Sequence, residues 1–282
     1  MVGIISSLVG AQRYQWTRGA PQIPLRPIAE AVVSAAGAAL VLAVIWQITA
    51  VLSKGDLPGP FPTLRVFWDM VSNPLYNNGP NDKGVGLQLA ASLQRVFIGF
   101  SLGAAVAIPL GMLLGLSSWS RRLLDPITQI LRPISPLAWF PMGLAAAHAV
   151  DTATLFVIFI TSLWPTVVNT PFGVRSLPES HKNVALIFQF SRRKYLTTIV
   201  LPYSLPYIIT GLRLSMGIAW LVIVAAEMLS GSSGIGWLVW DSWNALNLEK
   251  VISAVLLIGL VGFGLDRVFL FLVRRVSYEE AS

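Results

Sequence analysis

The chain has 282 residues, 55% of them hydrophobic and only 12% charged, about half the charged share of an ordinary soluble domain. A soluble chain of this length needs a charged surface around its core, whereas here the charges cluster between long apolar stretches, which makes lipid the solvent. The formal charge of +7 raises nucleic acid as a partner, and the absence of cysteine removes disulfides and thiolate metal sites. His148 and His181, the two histidines, are far apart and have no acidic ligands beside them, so a histidine-based metal site has no support.

Residues 1–27 form an N-terminal segment in which Ile4, Ile5, Leu8 and Val9 precede Arg13, Trp16 and Arg18. Two readings stay open, an amphipathic helix lying on the inner membrane surface and an unstructured tail. The first long apolar run, from Ile28 to Val51, is too long and starts too late for a cleaved signal peptide. A bilayer core of about 30 Å needs roughly 20 helical residues, and six segments reach or approach that length: 28–51, 87–116, 127–148, 153–174, 204–228 and 251–273. The expected fold class is therefore an all-α integral membrane protein with six transmembrane helices spanning 28–275, followed by a tail over 276–282.

Between the first two spans, residues 52–86 read as an external loop, because Leu57-Pro58-Gly59-Pro60 and Asn77-Asn78-Gly79-Pro80 are turn formers. The second span carries Gly99, Gly103, Gly111 and Gly115, which let helices approach closely. Pro109 and the run Pro133, Pro136, Pro141 each remove a backbone hydrogen bond, so the second and third helices are expected to bend or break there. With both termini cytoplasmic, fourteen basic residues, Arg132 among them, fall on the cytoplasmic side against five outside. Arg213, inside a helix, accounts for the last of the 20. This asymmetry follows the positive-inside rule, so the basic excess is topological and a nucleic-acid face is set aside.

The longest cytoplasmic connection, 175–202, looks helical. Ser176 followed by Glu179 fits a capping box, His181 to Phe190 contains no Gly or Pro, and Ser191 gives a second start signal. The helix places Val184, Leu186, Ile187, Phe188 and Phe190 on the cytoplasmic side. Apolar residues there point either to a docking surface for another protein or to a helix folded back on its own bundle.

The same stretch resembles the permease subunits of bacterial binding-protein-dependent ABC importers. Their cytoplasmic signature is Glu-Ala-Ala, three residues, Gly, nine residues, then Ile, any residue, Leu-Pro. Here the frame begins at Asn183-Val184-Ala185, has Gln189 at the glycine position, and matches at Ile199, Leu201 and Pro202. Leu205-Pro206, Gly211-Leu212-Arg213, Ala225-Ala226-Glu227-Met228 and Gly234-Ile235-Gly236 resemble the fifth helix and following loop of the nitrate, bicarbonate and sulfonate branch. Leu131-Arg132-Pro133, Pro136-Leu137-Ala138-Trp139 and Ser92-Leu93-Gln94-Arg95-Val96 extend the likeness over roughly 55–282. The segment from Asn78 to Gly84 looks most like nitrate and bicarbonate permeases.

The resemblance implies a type I importer permease of the bacterial inner membrane, with 178–190 as a coupling helix. Asn183, Val184, Ala185, Ile187, Phe188, Gln189, Ile199, Leu201 and Pro202 would carry ATPase coupling. Its implied partners are a second permease copy, two cytoplasmic ATPase subunits that bind ATP and Mg, and an external solute-binding protein or lipoprotein; the chain itself would hold no cofactor. A sulfonate or taurine permease and an ATP-independent transporter or channel are the alternatives, the latter calling for ion-coupling residues or an inverted repeat.

Charges within the membrane cost about 2.5–3.5 kcal/mol on insertion scales, so Arg213 and Glu227 call for explanation. Arg213 either attracts an anion on the translocation pathway or snorkels or pairs locally. Glu227 would repel an anion if it faced that pathway, and the structural reading has it bonded to the backbone turn at 230–236. Gly231, Gly234 and Gly236 are not followed by the Lys-Ser/Thr of a phosphate loop. Trp139, Trp164, Trp220, Trp237, Trp240 and Trp243 include several that suit an interfacial belt. No catalytic triad, carboxylate pair or metal-ligand spacing appears, so an enzyme is not expected.

Overall fold

The computed structural model describes residues 25–79, 82–231 and 233–276. They are helical almost throughout, with one isolated antiparallel bridge between Asn77 and Lys83. The chain divides into two compact units, Met1–Asp56 and Leu57–Ser282. The first contains α1, Leu25–Leu52, whose apolar stretch Ala36–Leu52 overlaps the first expected span. The surface helix considered at Ile4–Val9 and the tail after Val276 lie outside the described residues.

In the second unit the order is α2 (Pro60–Ser72), α3 (Val85–Leu116), α4 (Ser118–Leu131), α5 (Phe140–Ala147), α6 (Val150–Arg175), α7 (Glu179–Ile187), α8 (Arg192–Tyr195), α9 (Leu201–Ser230), α10 (Ile235–Asn244) and α11 (Leu248–Val276). A wide π turn, Leu196–Val200, joins α8 to α9. Pro202 and Pro206 have no N–H to return to the preceding turns, which favours such local widening. Among the described residues four helices are long and apolar enough to cross a membrane: α3, α6, α8 with α9, and α11.

Two expectations need correction. The segment 52–86 is not all loop, because α2 occupies its middle. Pro60 sits in the first helical turn, where its missing N–H costs nothing, and Thr63 Oγ1 donates to Gly59 O at 2.9 Å. The third span is not one helix over 127–148. α4 stops at Leu131, residues 132–135 are irregular, and a 3₁₀ turn at Pro136–Trp139 leads into α5. Pro133 and Pro136 remove two donors within four residues, and that is enough to end the ladder. By contrast, α3 stays helical through Pro109. A single bond is lost there, and Ala107 and Gly111 on either side are buried.

The centre of the unit is a close-packed row of α3, α6 and α9. Gly99, Gly103, Ala107, Gly111 and Gly115 recur every fourth residue, so they share one face of α3. A Cβ added to Gly99 would stand 2.8 Å from Ile158 Cβ, and one on Gly111 would stand 2.6 Å from Thr170 Cβ. Gly103 and Gly115 abut Ser162 and Val174 in the same way. On α9, Gly211 lies against the Cα of Thr166, and Tyr207 covers Gly173. Ser215 Oγ donates to Ser162 O at 2.6 Å and accepts from Thr166 Oγ1 at 2.8 Å. Small residues and buried hydroxyls on both sides of α6 are what holds helices together where lipid gives no hydrophobic drive. α11 is tied to α9 by Trp220 Nε1, which donates to Ile258 O at 3.0 Å.

One end of this row is locked by Glu227, the only charged side chain fully buried among the described residues. Its Oε1 accepts from Ser92 Oγ at 2.9 Å and from Arg95 Nη1 at 2.9 Å, and its Oε2 accepts from the Gly236 amide at 3.0 Å. Arg95 also donates to Ser233 O at 2.7 Å and to Asp151 Oδ1 at 2.9 Å. Gly234, at φ 122°, gives its amide to Gln88 Oε1 at 2.7 Å, and any side chain there would enter the Glu227 carboxylate. This cluster joins α3, α6, α9 and the start of α10. Removing one partner of a buried pair strands the other charge, at a cost of about 3–5 kcal/mol. Glu227→Ala should therefore lower the unfolding midpoint strongly in detergent. Asp151→Ala should change it little, since Asp151 is 70% exposed.

Candidate functional site

α6 ends at Arg175, and the chain turns immediately into α7. The expected capping box does not form. Ser176 is the C-cap of α6, its Oγ donating back to Gly173 O at 3.0 Å, and the N-cap of α7 is Pro178 without a side-chain bond. α6 extends far enough that Ser176 is used by the helix before it. Glu179 opens α7, where a carboxylate suits the positive end of a helix. Its hydrogen bond to Lys182 Nζ, 2.7 Å long, holds that ammonium above its ordinary pKa range. Ser191 does cap α8, accepting from the Lys194 amide at 3.3 Å.

α7 ends at Ile187, earlier than the expected Phe190. Gln189 is left-handed at φ 50°, its amide donates to Leu186 O at 3.1 Å, and the Phe190 amide donates to Ala185 O at 2.9 Å. That pair of bonds is a Schellman stop. It explains why the related signature has glycine at the position of Gln189, since a left-handed residue with a Cβ is strained.

Of the sequence-singled residues on this loop, Ala185 is buried and Ile199 packs beside the buried Val200. Leu186, Ile187 and Phe188 are 74%, 76% and 68% exposed, and Val184, Asn183, Leu201 and Pro202 are exposed as well. These apolar side chains are thus not folded back on the bundle. A groove of about 340 Å³ runs beside them, lined by Ser180, His181, Val184, Phe190, Thr198 and Ile199. Behind this face, Tyr203 Oη donates to Ser176 O at 3.1 Å, and the His181 and Tyr203 rings lie 5.9 Å apart.

Both intramembrane charges have partners. Arg213 forms a two-pronged pair with Asp266 of α11, Nε to Oδ1 at 2.6 Å and Nη2 to Oδ2 at 2.9 Å. Glu227 lies in the buried cluster, bonded to Gly236 in the turn after α9.

A feature that sequence reasoning passed over is a cavity of about 260 Å³ beside the broken third span, lined by Arg132, Trp139, Thr161, Trp164, Asn169 and Leu214 among others. The cavity borders α6 from Ile160 to Asn169, which covers the middle of that helix and the part toward its Arg175 end. Arg132 lines this cavity from the irregular segment after α4. The signal was present: a charge directly before a cluster of prolines in a hydrophobic run marks an interrupted helix.

The left-handed stop gives a local test. Gln189→Gly should stabilise the end of α7 by about 1 kcal/mol, read as roughly fivefold slower hydrogen exchange at the amides of residues 189 and 190. Gln189→Val should accelerate that exchange.

The chain was compared with known proteins. Residues 107–278 match the model of the family described as the binding-protein-dependent transport system inner membrane component. The chain is 44% identical over 241 residues to a nitrate import permease protein, NrtB, of Synechocystis sp., covering 86% of this chain and 88% of that protein. It is 44% identical over 234 residues to a bicarbonate transport system permease protein, CmpB, of Synechococcus elongatus, covering 82% and 84%. Among solved structures, an inward-facing MetNI methionine ABC transporter chain aligns with a TM-score of 0.60 at 14% identity, over 66% of this chain and 93% of that one. That likeness shows the fold, which is the helical fold of ABC importer permeases. With a family model over more than half its length and relatives above 40% identity, the chain belongs to the inner-membrane permease components of binding-protein-dependent ABC transport systems.

Proposed function

We propose that the chain is the membrane-spanning permease of an ATP-driven importer for a small oxyanion, nitrate or bicarbonate, and that α7 is the element through which cytoplasmic ATPase subunits drive it. The observation that carries this reading is the apolar end of α7. Leu186, Ile187 and Phe188 stand exposed on the helix that directly follows α6, and its His181 ring lies near Tyr203 of α9. Clustered exposed apolar residues on a helix call for a partner. Because α7 follows α6 without slack, a push on it is delivered to the α3, α6 and α9 row.

In this reading α1, α3, the interrupted pair α4 and α5, α6, α8 with α9, and α11 are six spans with both termini cytoplasmic. Two copies pair around a pathway, two ATPase subunits bind ATP and Mg and close on the α7 helices, and an external solute-binding protein or lipoprotein delivers the anion. The external side would carry α2, α10 and the Glu227 cluster. The choice of nitrate or bicarbonate over sulfonates rests on the NrtB and CmpB relatives. An ATP-independent transporter or channel would leave the exposed end of α7 without a purpose. Asn183, Val184, Ala185, Ile187, Phe188, Gln189, Ile199, Leu201 and Pro202 are the proposed coupling residues. The proposed pathway roles of Arg213 and Glu227 are indirect, since their charges are committed to Asp266, Arg95 and Ser92.

Ile187→Asp and Phe188→Asp should abolish co-purification of an ATPase subunit and ATP-dependent uptake of labelled nitrate or bicarbonate into proteoliposomes, with the permease still inserted. Normal assembly and transport in both variants would remove α7 from the coupling role. Failure of the unaltered complex to carry either anion would remove the oxyanion assignment.

A further inference from the structure

A guanidinium beside apolar helices needs a counter-charge, water or a ligand, because an apolar surrounding solvates it poorly. Arg213 meets that need with Asp266. Arg132 does not: among the described residues no carboxylate lies within ion-pair reach of it, and its bonded group is the backbone amide, which donates to Thr128 O at 3.0 Å. Its side chain is exposed at the irregular segment between α4 and the 3₁₀ turn. Irregular backbone between apolar helices needs protein or a wet cavity to meet its polar groups, and the 260 Å³ cavity lies beside it.

The lining of this cavity has a one-sided chemistry. It contains no Asp or Glu. Trp139 and Trp164 belong to it, and among the described residues neither indole N–H has a hydrogen-bond partner. Asn169 uses one amide hydrogen on Pro165 O at 2.7 Å, leaving the other. A wall with an unpaired cation, spare N–H donors and no carboxylate is suited to an anion. The planar fork of arginine matches two oxygens of a flat oxyanion better than the point charge of lysine does.

We propose that Arg132 is a group that receives the transported oxyanion on its path, bound in the cavity between the α4–α5 break, α6 and α9. The proposal rests on the importer reading above and names the side chain that reading lacks. It places the contact at the interruption of the third span, while Arg213 stays engaged with α11.

The test is uptake of labelled nitrate and bicarbonate by the complete importer in proteoliposomes, comparing the unaltered chain with Arg132→Gln and Arg132→Lys in complexes assembled to equal yield. Arg132→Gln should lose tenfold or more of the uptake of the anion that the unaltered complex carries. Arg132→Lys should retain uptake with a raised KM. Undiminished uptake by Arg132→Gln would overturn the proposal. So would a lysine variant as inactive as the glutamine one, which would assign Arg132 to shape instead of charge. If Arg132→Gln fails to assemble, Asn169→Asp takes its place by putting a carboxylate in the same cavity; tenfold loss supports the proposal and undiminished uptake overturns it. No uptake by the unaltered complex fails the importer reading itself, an outcome separable from the others.

Discussion

The structure depends on how closely α6 can be approached from both sides. In lipid, burying apolar surface gains nothing over leaving it exposed, so helices associate through packing and hydrogen bonds. α6 satisfies both conditions. α3 brings Gly99, Gly103, Ala107, Gly111 and Gly115 against one face, and α9 brings Gly211 and Ser215 against the other, with the Ser162, Thr166 and Ser215 hydroxyls bonded inside the seam. Everything of functional interest hangs from this row. α7 leaves the end of α6, the cavity opens on the middle of α6, and Asp151 at its start reaches the Glu227 cluster through Arg95.

Charge is distributed within that frame according to solvation. Glu227 is sealed and fully bonded, which makes it a structural pin for α3, α9 and α10. Arg213 is half open but matched by Asp266 with two-pronged geometry. Arg132 alone of these three lacks a partner while lining a cavity. A pin, a matched pair and an open cation have different consequences although each is one ionisable side chain in an apolar stretch. The sequence marks Arg213 and Glu227 as costly and counts Arg132 among the cytoplasmic cations, and it does not show their side-chain partners, which lie at least 53 residues away or are absent.

Much of the fold was legible. Spans at 87–116, 153–174, 204–228 and 251–273 agree within a few residues with α3, α6, α9 and α11, since an apolar run of bilayer length is a strong local signal. The glycine period on α3 was readable for the same reason, as was the Ser191 cap. α2 was hidden because Pro60 reads equally as a turn former and as a helix start. Ser176 was misassigned because a serine between two helices can cap either one, and only the length of α6 decides. The stop at Gln189 was legible only as a departure from a glycine, and its left-handed φ shows what that glycine would be for. The cavity could not be read at all, for its walls come from three separate stretches of chain.

The account stands on α7 being the surface that an ATPase subunit grips, and the lack of native cysteine makes this directly measurable. A single cysteine introduced by Leu186→Cys in the complete complex can be cross-linked to the ATPase subunit, with Ser117→Cys, in the turn between α3 and α4, as the comparison. The account predicts a product at position 186 whose yield changes when ATP is added, and little or none at 117. A product at 117 with none at 186 would contradict it.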